Sequence, residues 1–540
     1  MKKLLITETP CQSHIIYWDF IRFITVSFIY FTFSFHFQYQ VTAMLFYVAL
    51  LFGTFVAAAI MHWLVFVLVN KPSRVPNGPM VLPIVGNMWY FLFQKDYYVA
   101  LLNLQKTYGK AVTLFPGLST KAMHVMVFDY DLAMKIQSGK FAEVLSDRPE
   151  NLNDIRGVTE GIVWGQYSTA RHLRSLVMRC FKESKLSYSP VMTPSVQDEL
   201  GRLLQHFAEG KGSSIDPIEI LVEHVTSSIT LFVLSKRIDL SLDEHRNFLA
   251  GARGFFEATP LEMMLLPYLQ ILSKVVNDSG AASERYLEKV MTKWLEVARQ
   301  ERLKEGPITK ENVRDILDVY LMSQPDCKQI DPHFMRGIVD VYLASMETGS
   351  VQLSWLLFYL AHQPEEQENL FQEIEEKIGS QLVQPKDRDS LPKLLAYIEE
   401  MHRYSVMTTQ GFPRRVAEPI DFGDNDEWHL EANTNVMFTW TAMQSDPKYW
   451  GDPENFRPSR WIDPKTGKLQ TKSQILQFGL GKRVCPGENV GRNIVFCFIA
   501  AIIQRFKWRF DEPSMANFTG YKVQLIRQPP PYKLIFEERN

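Results

Sequence analysis

Residues 478–487 read FGLGKRVCPG and place one of the chain's five cysteines between an arginine and a proline. The two glycines permit tight turns and a close backbone approach, as a loop that presses against a flat ligand requires. Pro486 suits the first position of a helix, and apolar residues recur at helical spacing through residues 489–506. The pattern predicts that Cys485 lies at a helix N-terminus, where the helix dipole favours a thiolate, the form that binds metal.

The composition is that of a folded chain without a strong electrostatic bias. Its 540 residues are 46% apolar and 22% charged, which suits a large core. The formal net charge of -2 provides no chain-wide basic field, so we expect no nucleic-acid partner. The five cysteines are scattered and lack the CxxC pairs of a zinc or redox site. As reduced thiols they indicate that the chain faces the cytosol.

Residues 1–70 have the composition of a membrane anchor. No Asp, Glu, Lys or Arg occurs in residues 23–70, and residues 41–69 form an apolar run long enough to cross a bilayer. The length of this run and the lack of a small-residue cleavage site argue against a cleaved signal peptide. The shorter aromatic stretch 23–37 allows a second span or an interfacial segment, and the flanking charges do not decide the orientation. One span and a hairpin both remain open.

The rest of the chain reads as a proline-rich hinge followed by one large domain. Four prolines in residues 71–87 exclude a helix, and no comparable linker or repeat interrupts residues 88–540. Hydrophobic spacing predicts a mainly α domain with small β-sheet portions. The predicted helices cover residues 195–208, 218–234, 281–305, 312–322, 332–361 and 364–378. The predicted strands cover residues 112–114, 123–128 and 436–440, with a C-terminal pair at 523–527 and 532–537.

The stretch FGLGKRVCPG resembles the haem-binding signature of the cytochrome P450 family. Phe478, Gly481, Arg483, Cys485 and Gly487 stand at its defining positions. The resemblance extends from residue 71 to residue 540 and implies a cytochrome P450 fold preceded by a transmembrane anchor. It implies heme b as the cofactor, with Cys485 as the axial thiolate ligand of the iron. Arg483 is then a partner for a haem propionate.

Two further segments resemble a structural network of the same family. YIEEMHRY, residues 397–404, places Glu400 and Arg403 three residues apart on one helix face. DPKYWGDPENFRPSRW, residues 446–461, supplies Arg460 as the third member. We expect these buried charges to be structural, since their mutual hydrogen bonds would be costly to break.

Residues 340–350, DVYLASMETGS, resemble the oxygen-binding segment of the family. Ala344, Ser345, Glu347 and Thr348 occupy its usual places. The resemblance implies that Thr348 orients water and oxygen while Glu347 relays protons, so these two residues are the candidate catalytic groups. Serine replaces the usual glycine at position 345, where it adds bulk but offers a hydroxyl that can bond back along the helix.

Residues 161–181, GIVWGQYSTARHLRSLVMRCF, resemble the helix whose tryptophan and arginine contact the haem propionates. Counting back from Phe181 assigns Tyr167 to the tryptophan position and Arg171 to the arginine position. Tyrosine keeps a ring and a polar donor, so contact with a propionate stays feasible. Arg414 is a further candidate for this contact.

Basic residues recur along the same helix and predict either a solvated face or a docking surface for the acidic domain of a reductase. This set comprises Arg171, Arg174, Arg179 and Lys182, with Lys482 and Arg492 beside it.

The sequence therefore leads us to expect a haem-thiolate monooxygenase that inserts one atom of O2 into a lipophilic substrate. Steroids, fatty acids, terpenoids and foreign compounds all suit such a site. NADPH-cytochrome P450 reductase is the expected electron donor, with cytochrome b5 as a second candidate. The apolar anchor argues against an Arg-rich mitochondrial import segment, so we expect the endoplasmic reticulum membrane with a cytosolic catalytic domain. The sequons at residues 277–279 and 517–519 should then carry no glycan.

Two alternatives of other classes remain open. A haem-thiolate isomerase or dehydratase would use no O2 and would not need Glu347 and Thr348. A non-catalytic haem-binding or sterol-binding membrane protein would keep the fold, and the departures at Ser345 and Tyr167 leave it open. The expected pocket segments, which do not distinguish substrates, are residues 151–164, 255–266, 337–344, 406–412 and 518–521.

Overall fold

The chain divides into two units, Met1–Lys71 and Pro72–Asn540. The structure is a computed structural model that describes residues 37–94, 96–116, 123–139, 141–149, 160–183, 192–210, 212–255, 279–325, 327–470, 475–513, 515, 521–523 and 526–539.

The described part of the first unit is one apolar helix, α1 (Phe37–Val65), that continues into a π-helical turn, Phe66–Asn70. The window Tyr47–Asn70 has a mean hydropathy of 2.2 and is long enough to cross a membrane. Most of its side chains are exposed, as a helix surrounded by lipid requires. All but the last residue of the second apolar stretch, 23–37, lies outside the described residues.

The second unit is mainly helical, with small sheets. Its helices are α2 (Trp89–Leu92), α3 (Tyr97–Tyr108), α4 (Tyr130–Ile136), α5 (Phe141–Val144), α6 (Tyr167–Glu183), α7 (Pro194–Glu209), α8 (Pro217–Leu234), α9 (Asp243–Gly254), α10 (Ser279–Glu305), α11 (Ile316–Ser323), α12 (Pro332–His362), α13 (Pro364–Lys377), α14 (Pro392–Ser405), α15 (Trp440–Gln444), α16 (Pro447–Trp450) and α17 (Glu488–Arg505). Its strands are β1 (Ala111–Leu114), β2 (His124–Val127), β3 (Arg414–Arg415), β4 (Ile420–Phe422), β5 (Trp428–Leu430), β6 (Asn435–Phe438), β7 (Phe506–Phe510), β8 (Lys522–Val523), β9 (Arg527–Gln528) and β10 (Leu534–Glu538). The mainly α class expected from the sequence is confirmed.

The long helix α12 forms the centre of the core. Asp331 caps it by accepting hydrogen bonds from the backbone N–H groups of His333 and Phe334, both at 2.9 Å, and Pro332 occupies its first turn. Helices α8, α10 and α17 pack against it. Helix α8 is also long and apolar enough to span a membrane, but 72% of it is buried in this core. Apolar composition here reflects a buried helix.

The largest sheet has the strand order β1-β2-β6-β3. Strand β2 pairs antiparallel with β1 and parallel with β6, and β3 pairs antiparallel with β6. The guanidinium of Arg414 in β3 donates to the carbonyl of Leu480 at 2.9 Å. The sheet thus places Arg414 beside the cysteine stretch.

The sequence pattern did not predict β7, the partner of the C-terminal strand β10. Strand β10 pairs with β7, whose first residue the sequence pattern assigned to the preceding helix. The alternating sequence FKWRF buries every second residue of β7, which matches the inward residues of β10. Phe207 of α7 stacks on Phe536 of β10, with ring centroids 4.4 Å apart, and covers this small sheet. Strand β8 instead pairs with β9.

The predicted Glu400 network, formed by Glu400, Arg403 and Arg460, is confirmed. Glu400 is fully buried and accepts from the Arg403 guanidinium at 2.8 and 2.9 Å and from Arg460 Nε at 3.0 Å. The indole N–H of Trp461 and the backbone N–H of Arg457 donate to the same carboxylate at 2.9 and 2.7 Å. The network thus ties α14 to the segment that precedes the cysteine stretch.

Candidate active site

The cysteine loop, residues 478–487, is closed by its own backbone. The N–H of Cys485 donates to the carbonyl of Phe478 at 2.8 Å, and the N–H of Val484 donates to Gly481 at 3.1 Å. Gly479 and Gly481 have φ of +79° and +67°, which favour glycine. A Cβ on Gly481 would also lie 3.0 Å from the carbonyl oxygen of Gln137. The two glycines are therefore required for the loop to fold in this shape.

The helix after the loop begins later than the sequence pattern predicts. Gly487 is the N-cap of α17, whose first residue is Glu488, so Pro486 does not open the helix. Cys485 lies two residues before the N-cap and follows a 3₁₀ turn, Gly481–Arg483. Burial raises the pKa of the Cys485 thiol, although a hydrogen bond from the Gly487 backbone and the charge of Arg174 oppose this shift. The helix terminus alone therefore does not make a thiolate, and the charge of a bound metal would be needed to hold one.

Phe478 is fixed at the start of the loop by two side chains. The guanidinium of Arg492 lies 4.6 Å from its ring centroid, and the His402 ring packs edge-on at 5.8 Å. Arg492 also pairs with Glu399 and, at 2.9 Å, with Glu488. Because Arg492 is committed to these contacts, it is not a free member of the predicted docking surface.

Four arginines converge beside the loop, and we call them the cationic cluster: Arg148, Arg174, Arg414 and Arg483. Within the described residues, their hydrogen bonds go to backbone carbonyls. Arg483 donates to Ser146, Ile162 and Gly165; Arg148 to Val163, Phe412 and Pro413; Arg414 to Leu145 and Leu480; and Arg174 to Val484.

The electrostatics of the cationic cluster favour an anionic ligand. Burial, reinforced by Arg483 and Arg174, lowers the pKa of Arg414 to about 9. Burial and the charge of Arg174 lower the pKa of Arg483 to about 10, although nearby Asp147 opposes the shift. The pKa of Arg148 falls well below its usual value for the same reasons, burial first and its cationic neighbours second. Concentrated positive charge with few negative partners is the environment that two carboxylates would stabilise.

The predicted contacts of helix α6 are placed differently in the structure. Tyr167 is the first residue of α6, its N–H donates to Asp147 at 2.7 Å, and it lies close enough to affect the pKa of both Arg174 and Arg483. Arg171 is exposed and lies outside the cationic cluster, whereas Arg174, one turn later, is a member.

Sequence reasoning assigned Arg174 to the basic face of helix α6 instead of this cluster, and it missed Arg148. Arg174 lies within the helical stripe of buried residues Ala170, Val177 and Phe181, and Arg171 lies outside that stripe. The stripe is therefore a signal in the sequence that could have identified Arg174. Arg148 carried no such signal, because its place is set by the contact of its loop with the carbonyls of residues 412 and 413.

The candidate oxygen-binding segment is a continuous part of α12. The Thr348 hydroxyl donates to the carbonyl of Ala344 at 2.6 Å, and Ala344 is exposed while Thr348 is partly exposed. The Ser345 hydroxyl donates to the carbonyl of Val341, one turn earlier. The back-bond expected from a serine at this position therefore forms.

Glu347 is buried at the start of a polar route to the surface. Its Oε1 accepts from the side-chain amide of Gln528 at 2.9 Å, and Arg253 Nε lies 4.0 Å from its Oε2. Arg253 in turn donates to both oxygens of Glu219 at 2.6 and 2.8 Å, and the Glu219 side chain is 63% exposed. Arg253 keeps its proton, so it orders the two carboxylates and does not itself carry a proton between them.

Apolar side chains from the loop before α6 and from residue 412 pack together, and one carboxylate of α12 holds this loop in place. Trp164 and Phe412 pack edge-to-face with centroids 4.9 Å apart. Asp340 accepts from the backbone N–H groups of Ile162 and Val163, at 2.5 and 3.1 Å, and so fixes the loop before α6. Of the expected pocket segments, residues 151–159, 256–266 and 518–520 lie outside the described residues.

A comparison with known proteins agrees with this arrangement. The family model of cytochrome P450 matches residues 76–536. The chain belongs to the cytochrome P450 family. Cytochrome P450 2A5 of Mus musculus is 25% identical over 478 residues, covering 86% of this chain and 94% of the relative. Cytochrome P450 2C8 of Homo sapiens is 26% identical over 485 residues, with 86% and 94% covered. Cytochrome P450 2J5 of Mus musculus is 26% identical, with 86% and 91% covered.

Membership of this family identifies the chain as a haem-thiolate monooxygenase. The residues present fit haem, because the cysteine loop offers a sulfur beside a cationic cluster suited to two propionates. The family uses a redox partner and lipophilic substrates in general.

Proposed function

We propose that this cytochrome P450 is anchored in the membrane of the endoplasmic reticulum and oxidises a lipophilic substrate with electrons from NADPH through a reductase. When bound, haem supplies the chemistry that activates O2, so that one oxygen atom enters the substrate and the other is reduced to water. The observation that carries the proposal is the cationic cluster beside the cysteine loop.

Cys485 and the cationic cluster would hold the cofactor from two sides. Cys485 would provide the sulfur that binds the iron, and the Phe478 ring, held by Arg492 at 4.6 Å, packs at the start of the same loop. Gly487 lies beside the sulfur, since a Cβ there would be in ordinary contact with Sγ at 3.9 Å. Arg483, Arg414 and Arg174 would donate to the propionates, whose negative charge would offset the burial that lowers the pKa of all three guanidiniums.

Thr348 and Glu347 would manage protons on the oxygen side of the pocket. The Thr348 hydroxyl donates to Ala344, so its lone pairs stay available to accept from water or substrate. Glu347 would pass protons inward, while Arg253, which lies between it and exposed Glu219, would stay charged and would order the two carboxylates without carrying a proton itself. Ala344 is exposed beside Thr348 and adds no bulk there.

Electron delivery would use the basic side of helix α6. Arg171, Arg179 and Lys182 are exposed on this helix, and Lys482 of the cysteine loop is exposed as well. An acidic flavin domain would be attracted to this face through weak, salt-sensitive contacts. Cytochrome b5 is the second candidate for the same face. Exposure of Arg171 suits this role better than a propionate contact.

Haem retention in two arginine variants tests the placement of the cofactor. Arg174→Gln removes a member of the cationic cluster, and Arg171→Gln removes one charge from the exposed face of the same helix. A charge-assisted hydrogen bond contributes about 1.5 to 3 kcal/mol, so Arg174→Gln should speed haem transfer to apomyoglobin roughly 10-fold to 150-fold. Arg171→Gln should leave this rate unchanged and slow reduction by the reductase. Equal haem loss from the two variants would contradict the proposal.

Turnover assays test the reaction itself. A panel of steroids, fatty acids and terpenoids is screened by the shift of the haem spectrum on binding, and each binder is incubated with reductase and NADPH. Product should form only when both NADPH and O2 are present. Product that forms when NADPH or O2 is withheld would favour an isomerase or dehydratase instead.

A further inference from the structure

Two histidines and a glutamate from adjacent helices bring their ligand atoms together away from the cysteine loop. His206 lies in the last turn of α7, and Glu223 and His224 lie in α8. One ligand atom from each side chain lies within 4.8 Å of the other two. His206 Nδ1 is 3.4 Å from His224 Nε2. Among the described residues, no other group of three His, Cys, Asp or Glu side chains has the spacing of a metal site.

A buried carboxylate fixes the tautomer of His224. Its Nδ1 lies 2.6 Å from Glu199 Oε1, and both side chains are almost fully buried. An ionised carboxylate accepts only, so Nδ1 carries a proton, which leaves Nε2, the nitrogen that faces His206, to bind a metal. A carboxylate behind a metal-binding histidine is the usual outer-shell arrangement.

The spacing of the two imidazole nitrogens matches a tetrahedral zinc ion. Two nitrogens bound to one zinc at about 2.05 Å with a tetrahedral angle lie about 3.3 Å apart. The observed separation of 3.4 Å is close to this value. A carboxylate completes a set of three protein ligands, which leaves one position for water. His206 and Glu223 are partly exposed, so an ion can reach the site from solvent.

The surrounding charges are compatible with a divalent cation. Arg237 donates to Glu199 at 2.8 Å and to Oε1 of Glu223 at 3.2 Å. When both histidines bind as neutral ligands, Arg237, Glu199 and Glu223 carry a net charge of about -1. A divalent cation would change this net charge to about +1. Arg237 also orders both carboxylates before an ion arrives.

We propose that His206, Glu223 and His224 form a Zn²⁺ site that clamps α7 to α8. The site does not depend on the proposed reaction, because it shares no residue with the cysteine loop or the cationic cluster. The ring next to His206 in sequence, Phe207, packs on Phe536 of β10 and Phe506 of β7. The clamp would therefore also steady the small C-terminal sheet.

Zinc stoichiometry in the purified, tag-free holoprotein tests the proposal. The protein is dialysed against buffered micromolar Zn²⁺. Elemental mass spectrometry then gives the molar ratio of zinc to haem iron. Wild type and the control His333→Ala, which removes an exposed histidine, should each bind one zinc per chain. His206→Ala and Glu223→Gln should each bind it at least roughly tenfold more weakly. Zinc should raise the unfolding temperature of wild type and leave that of His206→Ala unchanged.

Cobalt provides a second readout that does not depend on stability. Co²⁺ in a tetrahedral site with histidine ligands should give intense visible bands in the difference spectrum of wild type, and His206→Ala should lack them. A variant that keeps the reduced carbon monoxide spectrum of wild type is folded around its haem. Zinc binding that is absent from wild type, or equal in wild type and a folded His206→Ala, would overturn the proposal.

Discussion

Replacing Glu400 by glutamine should destabilise the catalytic unit more than any exposed ion-pair change. Both oxygens of Glu400 accept hydrogen bonds, at 2.7 to 3.0 Å, from two guanidiniums, one indole and one backbone N–H. Glutamine keeps the volume but offers one acceptor oxygen and an amide that opposes the remaining donors. Arg403 and Arg460 would then be buried charges without a carboxylate between them.

The magnitude follows from burial. Breaking a buried ion pair by removing one partner costs about 3 to 5 kcal/mol. The unit Pro72–Asn540 has roughly 470 residues, and unfolding entropies of about 2.1 cal/mol/K per residue then give about 1 kcal/mol per degree. Glu400→Gln should therefore lower the unfolding temperature by about 3 to 5 °C.

The assay is circular dichroism of the holoprotein at one fixed scan rate, because proteins of this size often unfold irreversibly. The matched control is Glu301→Gln, which removes an ion pair with Lys236 whose two side chains are 54% and 52% exposed. Such a pair contributes at most about 1 kcal/mol, or about 1 °C here. A shift in Glu400→Gln no larger than that of the control would refute the reasoning.

Three other outcomes are expected. Thr348→Ala should keep oxidising NADPH but form roughly tenfold less product per NADPH, while Thr348→Ser stays close to wild type; unchanged coupling in the alanine variant would remove Thr348 from the mechanism. Burial lowers the pKa of His402. Burial alone would raise the pKa of Glu399, but His402 and Arg492 outweigh it and lower that pKa to about 2. Both groups bind more protons in the unfolded chain than in the folded one. The unfolding temperature should therefore fall as pH drops below about 6.5, through His402, and fall further below about 4.5, through Glu399. An unfolding temperature at pH 5 equal to that at pH 7.5 would argue against this. Chain expressed in animal cells should carry no glycan at Asn277 or Asn517, and a glycan at either position would place the catalytic domain in the lumen.

Local patterns in the sequence predicted what local physics decides. The apolar run of α1, the capped helices and the glycine turns of the cysteine loop each depend on neighbours in the chain. Helix α11 illustrates the precision of such reasoning. It begins at Ile316 rather than at residue 312, because Asp315 caps it by accepting from the N–H of Asp318 at 3.0 Å.

Contacts between distant segments could not be predicted in this way. The partner of β10 is β7, because pairing buries the alternate aromatic residues of both strands. The cationic cluster joins residues from four separate segments, and the place of Arg148 depends on a carbonyl 265 positions away. The zinc candidate likewise requires that His206 and His224 face each other across two helices.

The reduced carbon monoxide spectrum of the purified protein, in wild type and Cys485→His, tests the central claim most directly. A thiolate at position 485 predicts the strongly red-shifted Soret band of sulfur-ligated haem in wild type. It also predicts that this band moves to the shorter wavelength of histidine-ligated haem in the variant. A wild-type spectrum without the red-shifted band, or a variant that retains it, would contradict the account.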